Sequence, residues 1–119
     1  MELKQITSAN YDAFINQKKI ALLVVTLRSC SHCADFKENV LPQVHKQFPE
    51  VEICEAVLQE RNAQLKKYIG NAKLNGLQTP FILVFQDGKE RCRFETIEGK
   101  IPKYEQLTKV LTPLCHGKN

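Results

Sequence analysis

The sequence predicts a single α/β domain built on a central mixed β-sheet of about five strands, flanked by four helices. Three observations predict it. The run Ile20-Ala21-Leu22-Leu23-Val24-Val25-Thr26-Leu27 is continuously apolar and rich in β-branched residues, which suits a strand buried on both faces by helices. Strand and helix patterns then alternate through the first half of the chain. Asp87-Gly88 is a tight-turn signal between two strands, so the second half turns antiparallel. Crossover units followed by a hairpin and a last helix give the order β-α-β-α-β-α-β-β-α, with helices on both faces.

Each element has its own signal. Thr7-Ser8 opens a helix over Asn10 to Gln17, where Tyr11, Phe14 and Ile15 fall at helical spacing. The first buried strand runs into Arg28-Ser29-Cys30-Ser31-His32-Cys33, and a helical stretch follows to about Phe48. Cys33, Phe36, Val40, Val44 and Phe48 recur every three or four residues there as one apolar stripe. Pro42 lies inside this helix and must kink it, because it has no N–H and its ring clashes with the carbonyl of Glu38. Val51 to Leu58 reads as a second buried strand, and Glu60 to Ile69 as a polar-faced helix stopped by Gly70-Asn71. Phe81 to Phe85 is a strand. Its hairpin partner alternates, with Cys92, Phe94 and Thr96 on one face and Arg91, Arg93 and Glu95 on the other. Gly99 breaks that strand, and Pro102 precedes a final helix carrying Tyr104, Leu107, Val110 and Leu111.

Composition narrows the function classes. The 119 residues fit one domain, residues 1–119, and a 43% hydrophobic, 25% charged make-up is that of a soluble globular protein. The net charge is +4, but Lys18-Lys19, Lys66-Lys67, Lys89, Lys100 and Lys103 are scattered. A nucleic-acid face would gather them with aromatics between, so no nucleic acid is expected, while acidic protein partners fit. No stretch approaches the ~20 apolar residues of a membrane span. Met1-Glu2-Leu3-Lys4-Gln5 has no apolar core of a secretory signal. A cytoplasmic monomer is therefore expected, or a periplasmic or secreted one if a longer precursor has been cut back. Five cysteines, an odd number, do not look like a fully paired secreted framework.

Cys30 and Cys33 carry the chemistry because they fall where a buried strand ends and a helix begins. A cysteine at a helix N-terminus faces unsatisfied backbone N–H groups and the positive end of the macrodipole. Both stabilise the thiolate, which is the nucleophile. Cys33 lies about one turn deeper and less exposed. Cys30 is thus expected to attack a substrate disulfide and Cys33 to resolve the mixed disulfide. His32 can donate a hydrogen bond or a positive charge to the Cys30 sulfur, and a stabilised thiolate makes the disulfide a better oxidant. Ser31 is small and polar and is expected to cap the helix.

A Cys-x-x-Cys pair is also half of a zinc site, which needs two further ligands at suitable spacing. The candidates are Cys54, Cys92, Cys115, His45 and His116. Cys54 and Cys92 fall in strand patterns as small core residues, and Cys115-His116 lies in the tail, so no metal is expected. An exposed tail would make Cys115 the residue to glutathionylate or dimerise.

These residues resemble the thioredoxin superfamily over nearly the whole chain, from about Leu3 to Leu114. The resemblance rests on the buried strand Leu22 to Leu27, Cys30-Ser31-His32-Cys33, Thr79-Pro80 directly before a strand, and the Asp87-Gly88 hairpin, in that order. It implies the thioredoxin fold and a thiol–disulfide oxidoreductase acting on protein or peptide disulfides. No bound cofactor is implied beyond the redox-active Cys30–Cys33 disulfide; a thiol reductant or oxidant partner would exchange electrons with it. Pro80 matches the family's cis-proline. Thr79 matches the residue whose backbone pairs with an extended substrate, and its hydroxyl is placed to touch a cysteine sulfur.

The sequence also departs from the family pattern. Thioredoxins usually carry an acid six residues before the first cysteine, where this chain has Val24, so deprotonation of Cys33 falls to water, His32 or Glu55. Ser29 replaces the family's Trp, and the chain has no Trp at all. Ser31-His32 stands where thioredoxin has Gly-Pro, and His32 resembles the His of isomerase and DsbA-type motifs. The kinking proline lies later than usual. Two other readings are compatible with these departures: a binding module on the same scaffold, and a redox sensor of low turnover.

Overall fold

The computed structural model describes residues 3–7, 9–16, 20–58 and 78–116. Five strands form one sheet: β1 (Lys4–Gln5), β2 (Ile20–Thr26), β3 (Glu52–Val57), β4 (Phe81–Gln86) and β5 (Lys89–Phe94). Their spatial order is β1-β3-β2-β4-β5. β1 and β2 both run parallel to β3, whereas β4 is antiparallel to β2 and to β5. The sheet is mixed, as the alternating first half and hairpin second half predict. Helices α1 (Tyr11–Ile15), α2 (Ser31–Asn39), α3 (Leu41–Gln47) and α4 (Tyr104–His116) complete the described elements. The helix expected over Glu60 to Ile69, with its stop at Gly70-Asn71, lies outside the described residues.

β2 holds the centre because each of its residues is buried. Its two faces feed two cores. Ala21, Leu23 and Val25 join Tyr11 and Phe14 of α1 with Cys54, Ala56, Leu83 and Phe85; the Tyr11 and Phe85 rings meet edge-on, centroids 6.5 Å apart. Ile20, Leu22 and Val24 join Phe36, Leu41 and Val44 of α2 and α3 with Leu107 and Leu111 of α4. Burying the Phe36 ring alone contributes about 1.5–3 kcal/mol, and it seats α2 across the sheet.

The expected proline kink is a full break. α2 ends at Asn39, Val40 caps both helices, and Pro42 sits in the first turn of α3. A proline costs nothing there, since first-turn N–H groups have no helical partner. Further on, Asp87 (φ 53°) and Gly88 (φ 81°) both adopt left-handed conformations, as a two-residue hairpin between β4 and β5 requires. A bulge between Val84 and Phe85 then leaves Arg91 as an extra residue on β5. The face expected inward is inward: Cys92 and Phe94 are half-buried and Thr96 is buried, while Arg91, Arg93 and Glu95 are exposed.

Candidate functional site

The site forms where β2 hands over to α2. Leu27, Arg28 and Ser29 are exposed, and Ser29 takes a left-handed φ of 56°. That conformation costs a non-glycine residue roughly 1 kcal/mol; it turns the chain so that Cys30 enters α2 from extended backbone. Cys30 itself is the N-cap: its sulfur accepts the Cys33 N–H at 3.1 Å. Ser31, expected to cap, is instead the first residue of the helix and is exposed, because the extended conformation that points a cap side chain back at the N–H groups falls on Cys30.

Cys30 and Cys33 are joined as a disulfide, with Cα atoms 5.2 Å apart. Cys30 is half-exposed and Cys33 is 2% exposed, so one sulfur meets solvent and the other faces the core. On the far side of the Cys30 sulfur stands Thr79. Its hydroxyl lies 3.2 Å from that sulfur and, in the disulfide, donates to it; its carbonyl oxygen is 3.7 Å away. The Thr79–Pro80 peptide is cis. Thr96 Oγ1 donates to the Pro80 carbonyl at 2.8 Å and ties this loop to the end of β5.

His32 is exposed, and its ring faces the turn Ile97–Lys100. A Cβ placed on Gly99 would lie 3.7 Å from His32 Cε1 and Nε2, so the turn backbone lies alongside the imidazole. Glu98 (φ 52°) and Gly99 (φ 77°) make this turn, closed by the Ile97–Lys100 bridge. Gly99 N donates to Gln78 Oε1 at 2.9 Å, linking the turn to the segment before the cis peptide. The predicted Cys30, His32, Cys33, Thr79 and Pro80 thus converge from two segments, with Ser31 beside them and the Ile97–Lys100 turn alongside.

Two residues that sequence reasoning missed, and one it only named, stand behind the cysteines. Glu55 of β3 is 5% exposed and sits in register beside Val24. Its Oε2 accepts Thr26 Oγ1 at 2.7 Å and Lys37 Nζ at 2.8 Å, and its Oε1 accepts Gln5 Nε2 at 2.8 Å. Burial alone pushes this carboxyl up; the hydrogen bonds from Lys37, Gln5 and Thr26, with the Lys37 charge, outweigh it and hold the carboxyl below its usual range. Glu55 is charged and fully partnered at neutral pH. Lys37 and Gln5 had a signal: a carboxylate in the buried run Val51 to Leu58 must find a cation and donors nearby. An open cavity of about 590 Å³ connects Glu55 and Lys37 with Cys30 and Cys33, and Leu27 rims it.

The other cysteines stand apart. Cys54 is buried on the α1 face, where burial first and Glu52 second push its thiol up to about 12. Cys115 is not in a loose tail: it lies in the last turn of α4, half-buried against the core that α2 covers. Burial, then the charge of Glu50 and a hydrogen bond with it, raise that thiol to about 11, opposite to what an oxidation-prone cysteine needs. Among the described residues, no group of three or more His, Cys, Asp or Glu is placed to hold a metal ion. No helix among them is long and apolar enough to cross a membrane.

No family model matches the chain, and no curated protein matches it in sequence. Solved structures do. Thioredoxin f2 of Chlamydomonas reinhardtii superposes with a TM-score of 0.74 over 99% of this chain and 100% of that one, at 11% identity. Thioredoxin of Fasciola hepatica gives 0.69 over 92% and 97% at 19% identity, and that of Trypanosoma brucei brucei 0.71 over 95% and 90% at 13% identity. The chain has the thioredoxin fold. On it, the Cys30–Cys33 disulfide occupies the mouth of the helix that follows the central strand.

Proposed function

We infer that this chain is a thiol–disulfide oxidoreductase acting on protein or peptide disulfides. The observation that carries the reading is the asymmetry of the pair: Cys30 half-exposed as the cap of α2, Cys33 buried one turn on. In the reduced protein, the Cys33 N–H and the α2 N-terminus favour the Cys30 thiolate, as does the Thr79 hydroxyl. That thiolate attacks one sulfur of a substrate disulfide and expels the other as a thiolate. Cys33 then attacks the Cys30 sulfur, the bond to substrate breaks, and the protein is left oxidised and the substrate reduced. The same steps reversed donate a disulfide.

The two sulfurs carry both electrons, so the reaction asks for no bound cofactor, only a partner thiol or disulfide to reset the pair. Thr79 is placed to align an extended substrate strand, and Ser31 meets it beside Cys30. His32, in the first turn of α2 with its ring beside the Gly99 turn, flanks the pair on the other side. Leu27 at the cavity rim and Ile97 on the turn beside His32 are the exposed large hydrophobic residues of the described chain, at 45% and 63%, and suit apolar side chains flanking a substrate cysteine. A monomer in a reducing compartment such as the cytoplasm fits this role; there it would work as a reductant.

The test is trapping. Cys33→Ala removes the resolving thiol, so Cys30 should retain disulfide-bearing proteins or peptides as mixed disulfides that dithiothreitol releases, and Cys30→Ser should retain none. Recovery of only non-covalent partners by both variants would overturn the reading in favour of a binding module.

A further inference from the structure

The open cavity beside the cysteines has a charge balance that the exchange chemistry leaves unused. Cys30, Cys33, Ser29 and Leu27 line it, whereas Thr79 and Pro80 are not among its described lining residues. A substrate sulfur joined to Cys30 therefore has Thr79 on one side and this cavity, about 590 Å³, on the other. That volume falls in the range of small-ligand pockets, about 300–1,000 Å³. Three charged residues line it among those described: Arg28, Lys37 and Glu55. Lys37 and Glu55 offset one another as an ion pair at 2.8 Å. Arg28 is exposed and has no ion pair among the described residues, and the first turn of α2 carries no acidic side chain to oppose it. The wall of the cavity is left with one uncompensated cation.

Resting on the exchange reading above, we propose that this cavity selects low-molecular-weight disulfides carrying a carboxylate close to the sulfur, and that Arg28 determines the selection. A guanidinium presents its N–H groups as a planar fork that matches a carboxylate, and it stays charged at any working pH. Leu27 at the rim offers apolar contact to the short methylene chain between carboxylate and sulfur. A disulfide bearing ammonium groups meets the same cation as a like charge and is disfavoured. A small disulfide fits within the cavity, so its charge is read there and not on the wider surface.

The bonds exchanged are those of the general reaction. The Cys30 thiolate forms a bond to one sulfur of the small disulfide, the S–S bond of that disulfide breaks, and the electron pair leaves with its other sulfur. Half of the molecule remains on Cys30, its carboxylate in the cavity. Cys33 gives its proton to solvent and attacks the Cys30 sulfur, and the second half leaves as a thiolate. The reduced cysteine pair supplies both electrons. Arg28 takes no part in these bond changes. It favours encounter and holds the anion, so its effect appears in the second-order attack and weakens with salt, as an exposed charge requires.

Three disulfides of equal chain length and different charge test this: dithiodipropionate (anionic), hydroxyethyl disulfide (neutral) and cystamine (cationic). With reduced Cys33→Ala, quenched-flow mass spectrometry reads the mixed disulfide formed on Cys30. Each rate is divided by that of 2-mercaptoethanol with the same disulfide, which removes intrinsic reactivity. The anion-to-cation ratio should be about fivefold at low salt, the upper end for an exposed ion pair. It should fall toward one in about 1 M sodium chloride, where screening acts within roughly 3 Å. Adding Arg28→Glu should bring the ratio below one; being taken on one variant, the ratio cancels any general loss of fold. Lys89→Glu makes the same change in net charge at the β4–β5 hairpin, at the opposite end of β4 from Pro80, and should leave the ratio where it was. A ratio near one in the parent, or one that Lys89→Glu lowers as far as Arg28→Glu does, would overturn the selection by Arg28. Failure of Cys30 to react with any of the three would instead remove the exchange reading on which it rests.

Discussion

Cys54 and Glu55 are consecutive residues of β3, equally buried, and they meet opposite fates. Cys54 points into the apolar core under α1, and its thiol is driven up to about 12. Glu55 points under α2, receives three hydrogen bonds, one of them from a lysine, and keeps its charge. Depth does not separate them, since they are 0% and 5% exposed. Partners do: burial silences an ionisable group unless the surroundings repay the lost water with donors of the right sign. The same contrast separates the buried thiols. Cys33 opens onto a cavity lined by a carboxylate and a lysine, whereas Cys54 packs into the α1-side core with Glu52 as its nearest charge.

Moving the charge by one residue tests this contrast most severely. Cys54→Asp puts a carboxylate on the α1 face beside Glu52, whose charge there outweighs that of Lys4, and should cost about 3–5 kcal/mol at pH 7, the penalty of an uncompensated buried charge. Burial raises the folded-state pKa of such an acid above its unfolded value. The folded form therefore tolerates it when protonated, and the cost should shrink as pH falls toward the unfolded Asp value of about 3.9. Urea titrations against the unmodified protein at pH 7 and pH 4 read this directly. A small, pH-independent loss would mean that the α1 face is as accommodating as the α2 face.

Glu55→Gln should show a smaller effect that also narrows in acid, but because the parent loses stability there and not because the variant regains it. Lys37 is 35% exposed and can turn to water when its partner is neutralised, so no charge is stranded. The expected loss at pH 7 is about 1–2 kcal/mol, that of hydrogen bonds to a charged group. The folded pKa of Glu55 lies below its usual value, so its stabilising contribution is present above the unfolded pKa of about 4.3 and disappears as pH falls through the folded one. The difference between variant and parent should therefore close in acid. A difference that widened in acid would reverse the sign assigned to this carboxyl.

The frame was legible because it rests on short-range signals. The apolar run from Ile20, the Asp87-Gly88 turn and the stripe through Phe36 and Val44 each commit to one element, and each element is where they place it. The cysteine pair was legible for the same reason, as a strand-to-helix junction is local. What escaped depends on register and on packing between elements. Glu55 lies beside Val24 only because β2 and β3 pair in one register, and Lys37 reaches it only because α2 crosses the sheet at one angle. Neither relation has a sequence spacing. Ser31 and Cys115 were misplaced for a smaller reason: a one-residue shift in the helix start, and a last helix that continues to His116 with Pro113 inside it.

Cys54→Ala is the mildest probe and isolates burial alone. Removing one sulfur from a well-packed site should cost about 1 kcal/mol, through a small void and not through charge. Below pH 8 the thiol is protonated in both folded and unfolded chains, so this cost should be flat. Above about 8.5 the unfolded thiol ionises while the folded one, at about 12, does not. The parent then loses stability with rising pH and the variant does not, so the gap between them closes in alkali. Native-state alkylation supplies the kinetic counterpart: at pH 8 iodoacetamide should label reduced Cys30 and spare Cys54. Labelling of Cys54 at a comparable rate would show that the α1 face admits solvent, and the division of chemistry between the two faces of β3 would no longer hold.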